Sequence, residues 1–130
     1  MTAEHDLLLK MYNAFNARDI DTVLAGMHRD VDWPNGWERG RIHGHQAIRD
    51  YWTRQWKAVD LQVDPIAFDS DNAGCTIVRL HELVRDLEGN FISVGVLEHV
   101  FRMEDGLVRS MEIRGTCPED KADGERLSLK

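Results

Sequence analysis

Residues 99–113, HVFRMEDGLVRSMEI, alternate between apolar and polar side chains on both sides of the turn residues Glu-Asp-Gly at 104–106. Such alternation is typical of two antiparallel strands joined by a short loop. The same pattern extends back to Leu61, interrupted by the turn-forming stretches DSDNAG and LEGN. We therefore predict an antiparallel meander with strands near residues 61–68, 74–86, 91–103 and 107–115, and a further short strand from about His28 to Trp33.

Three segments with helical spacing accompany this meander. The first two, within residues 8–27, each carry one apolar stripe, and Asp19 is the predicted N-cap of the second. The third runs from about His45 to Val59, and its stripe is rich in large side chains. Helices that precede a run of strands predict an α+β domain, in which the helices cover one face of the sheet. The three stripes are Leu8, Met11, Tyr12 and Phe15; Ile20, Val23, Leu24 and Met27; and Ile48, Tyr51, Trp52, Trp56 and Val59.

Length and charge narrow the class of protein. A chain of 130 residues with 42% hydrophobic residues is long enough for one domain with its own core. A formal net charge of −7, with no basic stripe, argues against binding to nucleic acid or to an anionic membrane. Two isolated cysteines, no secretion signal and no run of roughly 18 apolar residues predict a cytoplasmic protein with reduced thiols.

The order of elements carries a family resemblance. Helix, helix, short strand, helix and long meander, with IHGHQAI opening the third helix and HVFRMEDGLVRSMEI across the last hairpin, resembles the SnoaL-like branch of the nuclear transport factor 2 superfamily. The resemblance spans residues 4–116. It implies a strongly bent antiparallel sheet wrapped around three N-terminal helices, a cystatin-like cone with an internal pocket. We place this domain at residues 1–117 and expect the polar tail, 118–130, to be flexible.

The resemblance also implies a range of activities, since the superfamily includes isomerases, cyclases, dehydratases and epoxide hydrolases as well as members that only bind partners. His99 falls where steroid isomerases carry an acid that donates a hydrogen bond to the substrate oxygen, but their catalytic base falls on Trp33. Glu82 matches one acid of the limonene epoxide hydrolases, whereas Leu80 and Ile113 take the places of their arginine and second acid. Neither known site is complete.

Loop length sets the register between neighbouring strands. A two-residue turn at 88–89 would place Glu82 opposite Gly95 and Val78 opposite His99.

For the last hairpin we prefer a three-residue loop at 104–106, which places His99 beside Met111; a two-residue turn would instead place Glu112 there. The three-residue loop gathers apolar side chains on one face, which we expect to be concave and covered by the helices. This inner face carries Val78, Leu80, Glu82, Val84, Leu97, His99, Phe101, Met111 and Ile113.

The outer face mixes valines with charges of both signs. Arg79, Glu98 and Glu112 are expected side by side, as in a solvated ladder of charges across strands. The valines exceed what a fully solvated face needs, and the resemblance implies dimers that pair these sheets, so we expect a homodimer through this face. The outer face is predicted to carry Arg79, His81, Val94, Val96, Glu98, Val100, Ser110, Glu112 and Arg114.

Glu82 and His99 are the candidate catalytic residues, because they are the ionisable groups on the apolar inner face. Burial would raise the pKa of the carboxyl and lower that of the imidazole, so either could exchange protons near neutral pH. They lie four strand residues apart, roughly 13 Å at about 3.3 Å per residue, and are not expected to touch. The alternatives are that His99 bonds helix backbone or water and that Glu82 lies at a solvated rim.

The predicted pocket would bind a small, apolar and cyclic molecule. If the protein is an enzyme, we expect acid/base chemistry without a cofactor, as an isomerase, cyclase, dehydratase or hydrolase. No nucleotide-binding loop is present, and His43 and His45 lack a third metal ligand, so we predict neither cofactor nor metal. The alternative is a non-catalytic homodimeric interaction module with a closed pocket. The predicted ligand-binding residues are Trp33, Trp37, Tyr51, Trp52, Trp56, Leu80, Phe101, Met111 and Ile113.

Overall fold

The helices begin and end where their capping residues dictate. In a computed structural model that describes residues 2–36 and 39–115, α1 (Ala3–Asn16) begins after Thr2, whose side chain accepts a hydrogen bond from His5 N. Asp19 caps α2 (Ile20–Ala25), as predicted. The sequence analysis extends this helix to Met27, but the helix ends at Ala25 with Gly26 as its C-cap. A Cβ atom at Gly26 would lie 2.6 Å from Met11 Sδ, so the close packing there leaves no room for a side chain. None of the described helices is both long and apolar enough to cross a bilayer.

Six strands form one curled sheet in the order β2-β1-β6-β5-β4-β3. β1 runs parallel to β6, and the other neighbouring pairs are antiparallel. α3 (His45–Trp56) follows β2, so two of the three helices, and not all three, precede the sheet. This α+β cone agrees with the predicted fold class. The strands are β1 (Met27–Pro34), β2 (Arg41–His43), β3 (Asp60–Ser70), β4 (Thr76–Arg85), β5 (Phe91–Glu104) and β6 (Leu107–Gly115).

The hairpin between β4 and β5 has the predicted register but not the predicted turn. Asp86 N donates to Asn90 O, and Gly89 adopts φ 92°, which makes a three-residue loop instead of two residues. An extra residue in β5, Ile92, then shifts the pairing by one. Glu82 consequently lies opposite Gly95, and Val78 lies opposite His99.

The last hairpin, between β5 and β6, has a loop that is shorter than predicted. Glu104 pairs with Leu107, so the loop is the two-residue turn Asp105-Gly106 with φ 56° and 78°, and the predicted three-residue loop is wrong. A bulge at Arg109 adds one residue to β6 and returns the inner side chains to the inner face.

The bulge changes the partners across this pair of strands. His99 lies opposite Ile113, not Met111, and Met111 lies opposite Phe101. On the outer face Glu98 pairs with Arg79 and Arg114, so Arg114 takes the place predicted for Glu112 in the ladder of charges.

Two side chains fix the two edges of the sheet. Arg41, which opens the unpredicted strand β2, donates from Nε to Asp32 Oδ1 at 2.9 Å and from a guanidinium nitrogen to the carbonyl oxygen of Met111 at 2.9 Å. On the opposite edge, the Asn16 side chain both donates to and accepts from the backbone of Val63, which joins α1 to β3. The core therefore lies between α1, α3 and the inner face of the sheet.

Candidate functional site

A cavity of about 1480 Å³ opens between the helices and the inner face of the sheet. Its wall also includes outward-facing strand residues, namely Arg79, Val94, Val96 and Glu112. The exposed residues Gly36 and Gly115 lie on its wall, so the cavity reaches the molecular surface. A volume of this order exceeds that of most ligand pockets. The predicted site residues that line it are Trp33, Tyr51, Trp52, Glu82, His99, Phe101, Met111 and Ile113.

Two predicted ligand-binding residues, Leu80 and Trp56, do not line this cavity. Leu80 has no exposed surface and packs within the core. Trp56 stacks on Trp52, with ring centroids 5.9 Å apart, and lies under the guanidinium group of Arg18, which is 4.9 Å from its ring. Trp37 lies outside the described residues. Leu80 and Trp56 therefore support the wall from behind.

His99 is paired with Tyr12 of α1, a partner that the sequence analysis did not identify. Tyr12 Oη lies 2.7 Å from His99 Nδ1, and the two rings stack with centroids 5.8 Å apart. Both side chains are buried and both line the cavity. The signal that could have revealed the pair is the phenol itself, because a buried hydroxyl on an apolar helix stripe needs a hydrogen-bond partner.

Burial keeps both members of this pair neutral. Desolvation lowers the pKa of His99 from its ordinary 6.5 to about 3 and raises the pKa of Tyr12 well above 10. A phenol is the better donor and a neutral imidazole nitrogen the better acceptor, so Tyr12 donates to Nδ1. The imidazole proton is then on Nε2, which makes His99 a hydrogen-bond donor at its other nitrogen.

Glu82 lies at the other end of the inner face. It is half-buried on β4, and its cross-strand neighbours are Val63 and Gly95. His99 is opposite Val78, four residues along the same strand, which corresponds to roughly 13 Å at about 3.3 Å per residue. Glu82 and His99 therefore share one cavity as separate polar positions rather than as a pair in contact.

Two further buried polar side chains line the cavity, and neither was identified from the sequence. Asn35 follows β1 and Gln55 lies on the last turn of α3. Gln55 Nε2 is 3.5 Å from the Tyr51 hydroxyl, which is a long contact for a hydrogen bond. These two amides add both donors and acceptors to a wall that is otherwise mostly apolar.

The histidines of the HGH motif do not share a site. His43 Nε2 lies 3.1 Å from Asp32 Oδ1, whereas His45 Nε2 donates to the carbonyl oxygen of Met27 at 3.0 Å. A separate group, His28 with Glu104 and Asp105, has ligand atoms within 4.8 Å of one another at the last turn. Both of these acids are exposed, and Arg109 Nε lies 3.3 Å from Glu104 Oε1, so the geometry is already explained by an ion pair.

Solved structures with the same fold include a protein crystallised with a small molecule, a protein of unknown function and a putative polyketide cyclase. TerC, co-crystallised with polyporic acid, is 26% identical, with a TM-score of 0.75 over 86% of this chain and 90% of that chain. An NTF2-like protein of unknown function from Burkholderia pseudomallei is 22% identical, with a TM-score of 0.77 over 88% and 92%. A putative polyketide cyclase from Xanthomonas campestris pv. campestris is 19% identical, with a TM-score of 0.71 over 85% and 88%.

No curated protein matches the chain significantly. A family model, the SnoaL-like domain, matches residues 8–111, which include α1 from Leu8 onward, the inner face up to Met111 and both members of the Tyr12–His99 pair. By its sequence and by its fold, the chain belongs to the SnoaL-like domain family.

Proposed function

We propose that this protein binds a cyclic, mainly apolar small molecule in the cone and acts on it by acid/base chemistry without a cofactor. The buried Tyr12–His99 pair on the cavity wall is the observation that carries the proposal. A polar pair in an apolar cavity costs desolvation, and perturbed groups in clefts concentrate at functional sites.

His99 is the residue that contacts the reacting group. Its Nε2–H donates a hydrogen bond to a carbonyl oxygen of the ligand and stabilises negative charge that develops on that oxygen. A neutral imidazole suits this role because its Nε2–H can donate near neutral pH without the ring first taking up a proton. Isomerisation and cyclisation of a ketone through its enolate develop such a charge, and the likeness to a putative polyketide cyclase favours the cyclase class.

Tyr12 acts through His99 rather than on the ligand. Its hydroxyl holds the imidazole in the Nε2–H form and sets the plane of the ring, in the way that a partner on the far nitrogen orients a catalytic histidine.

The test is the binding of polyporic acid, the compound co-crystallised with TerC. Binding is measured by the quenching of the fluorescence of the tryptophans on the cavity wall. We expect quenching in the wild type and weaker binding in His99→Ala and Tyr12→Phe. The matched control is His81→Ala, an exposed histidine on the outer face of the adjacent strand, which should bind as the wild type does. Equal binding by all four proteins, with unchanged thermal midpoints, would remove His99 from the site.

We further propose that two copies of this chain associate through the outer face of the sheet, in a cytoplasmic protein. Large apolar side chains are exposed along β5, among them Phe91 at 62% and Val94 at 57%. Beside them, Glu98 lies between Arg79 and Arg114, with Arg114 at 2.9 Å. An apolar row next to charges of both signs can complement a second copy of itself across a two-fold axis.

Sedimentation equilibrium tests the dimer. We expect twice the chain mass for the wild type and a single chain for Val94→Glu, because the new carboxylates would face each other across the two-fold axis. Glu88→Lys, an exposed change in the loop before β5, is the control that should stay dimeric. A monomeric wild type at micromolar concentration, or a dimeric Val94→Glu, would contradict the proposal.

A further inference from the structure

Gly95 is a glycine inside a strand with no backbone reason to be one. It lies on the inner side of β5, in alternation with Leu97 and His99, and its φ is not in the positive region. A Cβ atom there would meet no atom of the described residues within 4 Å. Glycine weakens a strand interior and often marks a position where a ligand or another backbone approaches closely. The space beside Gly95 is therefore a candidate position for part of a ligand.

The neighbours of this space define its chemistry. Gly95 lines the cavity and lies directly opposite Glu82, so the carboxyl group borders the open space. A carboxylate offers about four acceptor positions, which leaves capacity for a ligand hydroxyl beside any partner within the protein. Gly115, also on the inner face and next to Leu97, widens the same end of the cavity.

The wall between the two polar positions is apolar. Leu97 lies opposite Leu80, midway between the level of Glu82 and that of His99. The two levels are roughly 13 Å apart along the strand, and two hydrogen bonds of about 2.8 Å each leave about 7 Å between the polar ends of the ligand. A single six-membered ring with one substituent at each end falls short of this span, and two rings joined end to end exceed it, whereas two fused rings fit.

We propose that Gly95 determines which ligands this protein accepts. The space over Gly95 holds the far end of an elongated ligand of more than one ring, whose hydroxyl donates to Glu82 while its carbonyl oxygen accepts from His99. This proposal rests on the proposed function and adds to it the length of the ligand and the chemistry of its two ends. Neither a compact one-ring ligand nor an elongated one without a terminal hydroxyl gains from both contacts.

Three probes separate these possibilities by tryptophan quenching. The first, 6-hydroxy-2-naphthaldehyde, has a carbonyl and a hydroxyl at opposite ends of two fused rings. The second, 2-naphthaldehyde, lacks the hydroxyl, and the third, 4-hydroxybenzaldehyde, has both groups on one ring. We expect the first to bind best, by about tenfold or more over each of the others, because a site built for a hydroxyl discriminates against ligands that lack it.

Two substitutions at this end of the cavity then test the assignment. Gly95→Val should weaken binding of the first probe by about tenfold or more while leaving the one-ring probe unchanged. Because a Cβ has room and valine favours strands, the unliganded variant should fold with an equal or higher thermal midpoint. Val100→Ile, which adds bulk on the outer face of the same strand and away from the cavity wall, is the matched control. Glu82→Leu should reduce the first probe to the affinity of the second, and Glu88→Leu should not.

The outcomes are distinguishable. If His99→Ala weakens all three probes but Gly95→Val and Glu82→Leu change none of them, the assignment of Gly95 is wrong and the proposed function survives. If no probe binds, or if binding is indifferent to His99, the proposed function fails together with this inference. Should Gly95→Val fail to fold, Gly95→Ala with the same probes gives the answer.

Discussion

Glu98 and His99 are neighbours in the chain, yet they show opposite solutions for a polar side chain on a strand. Glu98 points outward, where Arg114 lies 2.9 Å away and solvent screens the pair. His99 points inward, where it is hydrogen-bonded to a neutral phenol and where burial lowers its pKa to about 3. The two faces of the sheet therefore accommodate polar side chains in different ways. On the outer face, charged side chains form ion pairs, whereas on the inner face the buried polar side chains are neutral.

The largest expected difference between the two faces is in the free energy of unfolding that is lost when an apolar side chain is truncated. Leu80→Ala on the inner face should lower the free energy of unfolding by about 2–5 kcal/mol, because it leaves a cavity beside the ligand-sized one. Val94→Ala, 57% exposed on the outer face of a single chain, should change it by only about 0.5 kcal/mol at a protein concentration too low for dimer formation. Urea denaturation measures both. Similar losses in the two variants would mean that the faces are not distinct.

Acid should destabilise the protein through the inner face. The folded-state pKa of His99, about 3, is below its unfolded value of 6.5, so the unfolded chain takes up the proton first. This contribution to stability is complete above pH 6.5 and is lost as the pH falls toward 3, by up to about 1.4 kcal/mol for each pH unit. Urea denaturation from pH 7 to pH 4 should show a weaker pH dependence in His99→Gln than in the wild type.

A matched substitution on the outer face sharpens this test. His81→Gln changes an exposed histidine on the strand next to His99. We expect it to retain the wild-type pH dependence. If both glutamine variants flatten the curve equally, the acid sensitivity does not arise from the cavity.

The hydrogen bond within the cavity should be worth less than the packing around it. Tyr12→Phe leaves Nδ1 of His99 without its donor and should cost about 1–3 kcal/mol, the price of an unsatisfied buried group. Imidazole ¹⁵N chemical shifts provide a second reading that packing alone would not change. We expect the Nε2–H form in the wild type and a mixture of forms in the variant, and an Nδ1–H wild type would contradict the assigned donor.

The smallest effect belongs to the outer ion pair. Arg114→Ala, made in the monomeric Val94→Glu background, removes a guanidinium that is 53% exposed in the single chain, and it should cost no more than about 1 kcal/mol. Added salt should reduce this difference between the variant and its background, because it screens exposed charges. A larger loss that is insensitive to salt would show that the pair is buried.

The prediction of faces succeeded although both hairpin loops were wrong. The turn at Gly89 is one residue longer than predicted and the turn at Gly106 is one residue shorter, but bulges at Ile92 and Arg109 compensate for each. Alternation of apolar and polar residues reports the face of a side chain directly, whereas turn length reports it only when no bulge intervenes. The register of His99 against Ile113 therefore could not be read from the loop.

The site was predicted less completely than the fold. His99 and Glu82 stand out in the sequence because they are ionisable residues on an apolar face, and both line the cavity. Tyr12 does not stand out, because tyrosine on a helix stripe is compatible with simple packing. The hydrogen bond joins residues 87 positions apart, and local patterns carry no information about such a contact.

The sequence by itself determined the alternation of the strands, the apolar stripes of the helices and the cap at Asp19, because these depend on residues within a few positions of one another. Only the tertiary structure decided that Tyr12 meets His99, that Arg41 joins three strands and that Gly95 borders an open space. Each of these depends on how the helices dock on the curled sheet, where burial and distance are set by the whole chain.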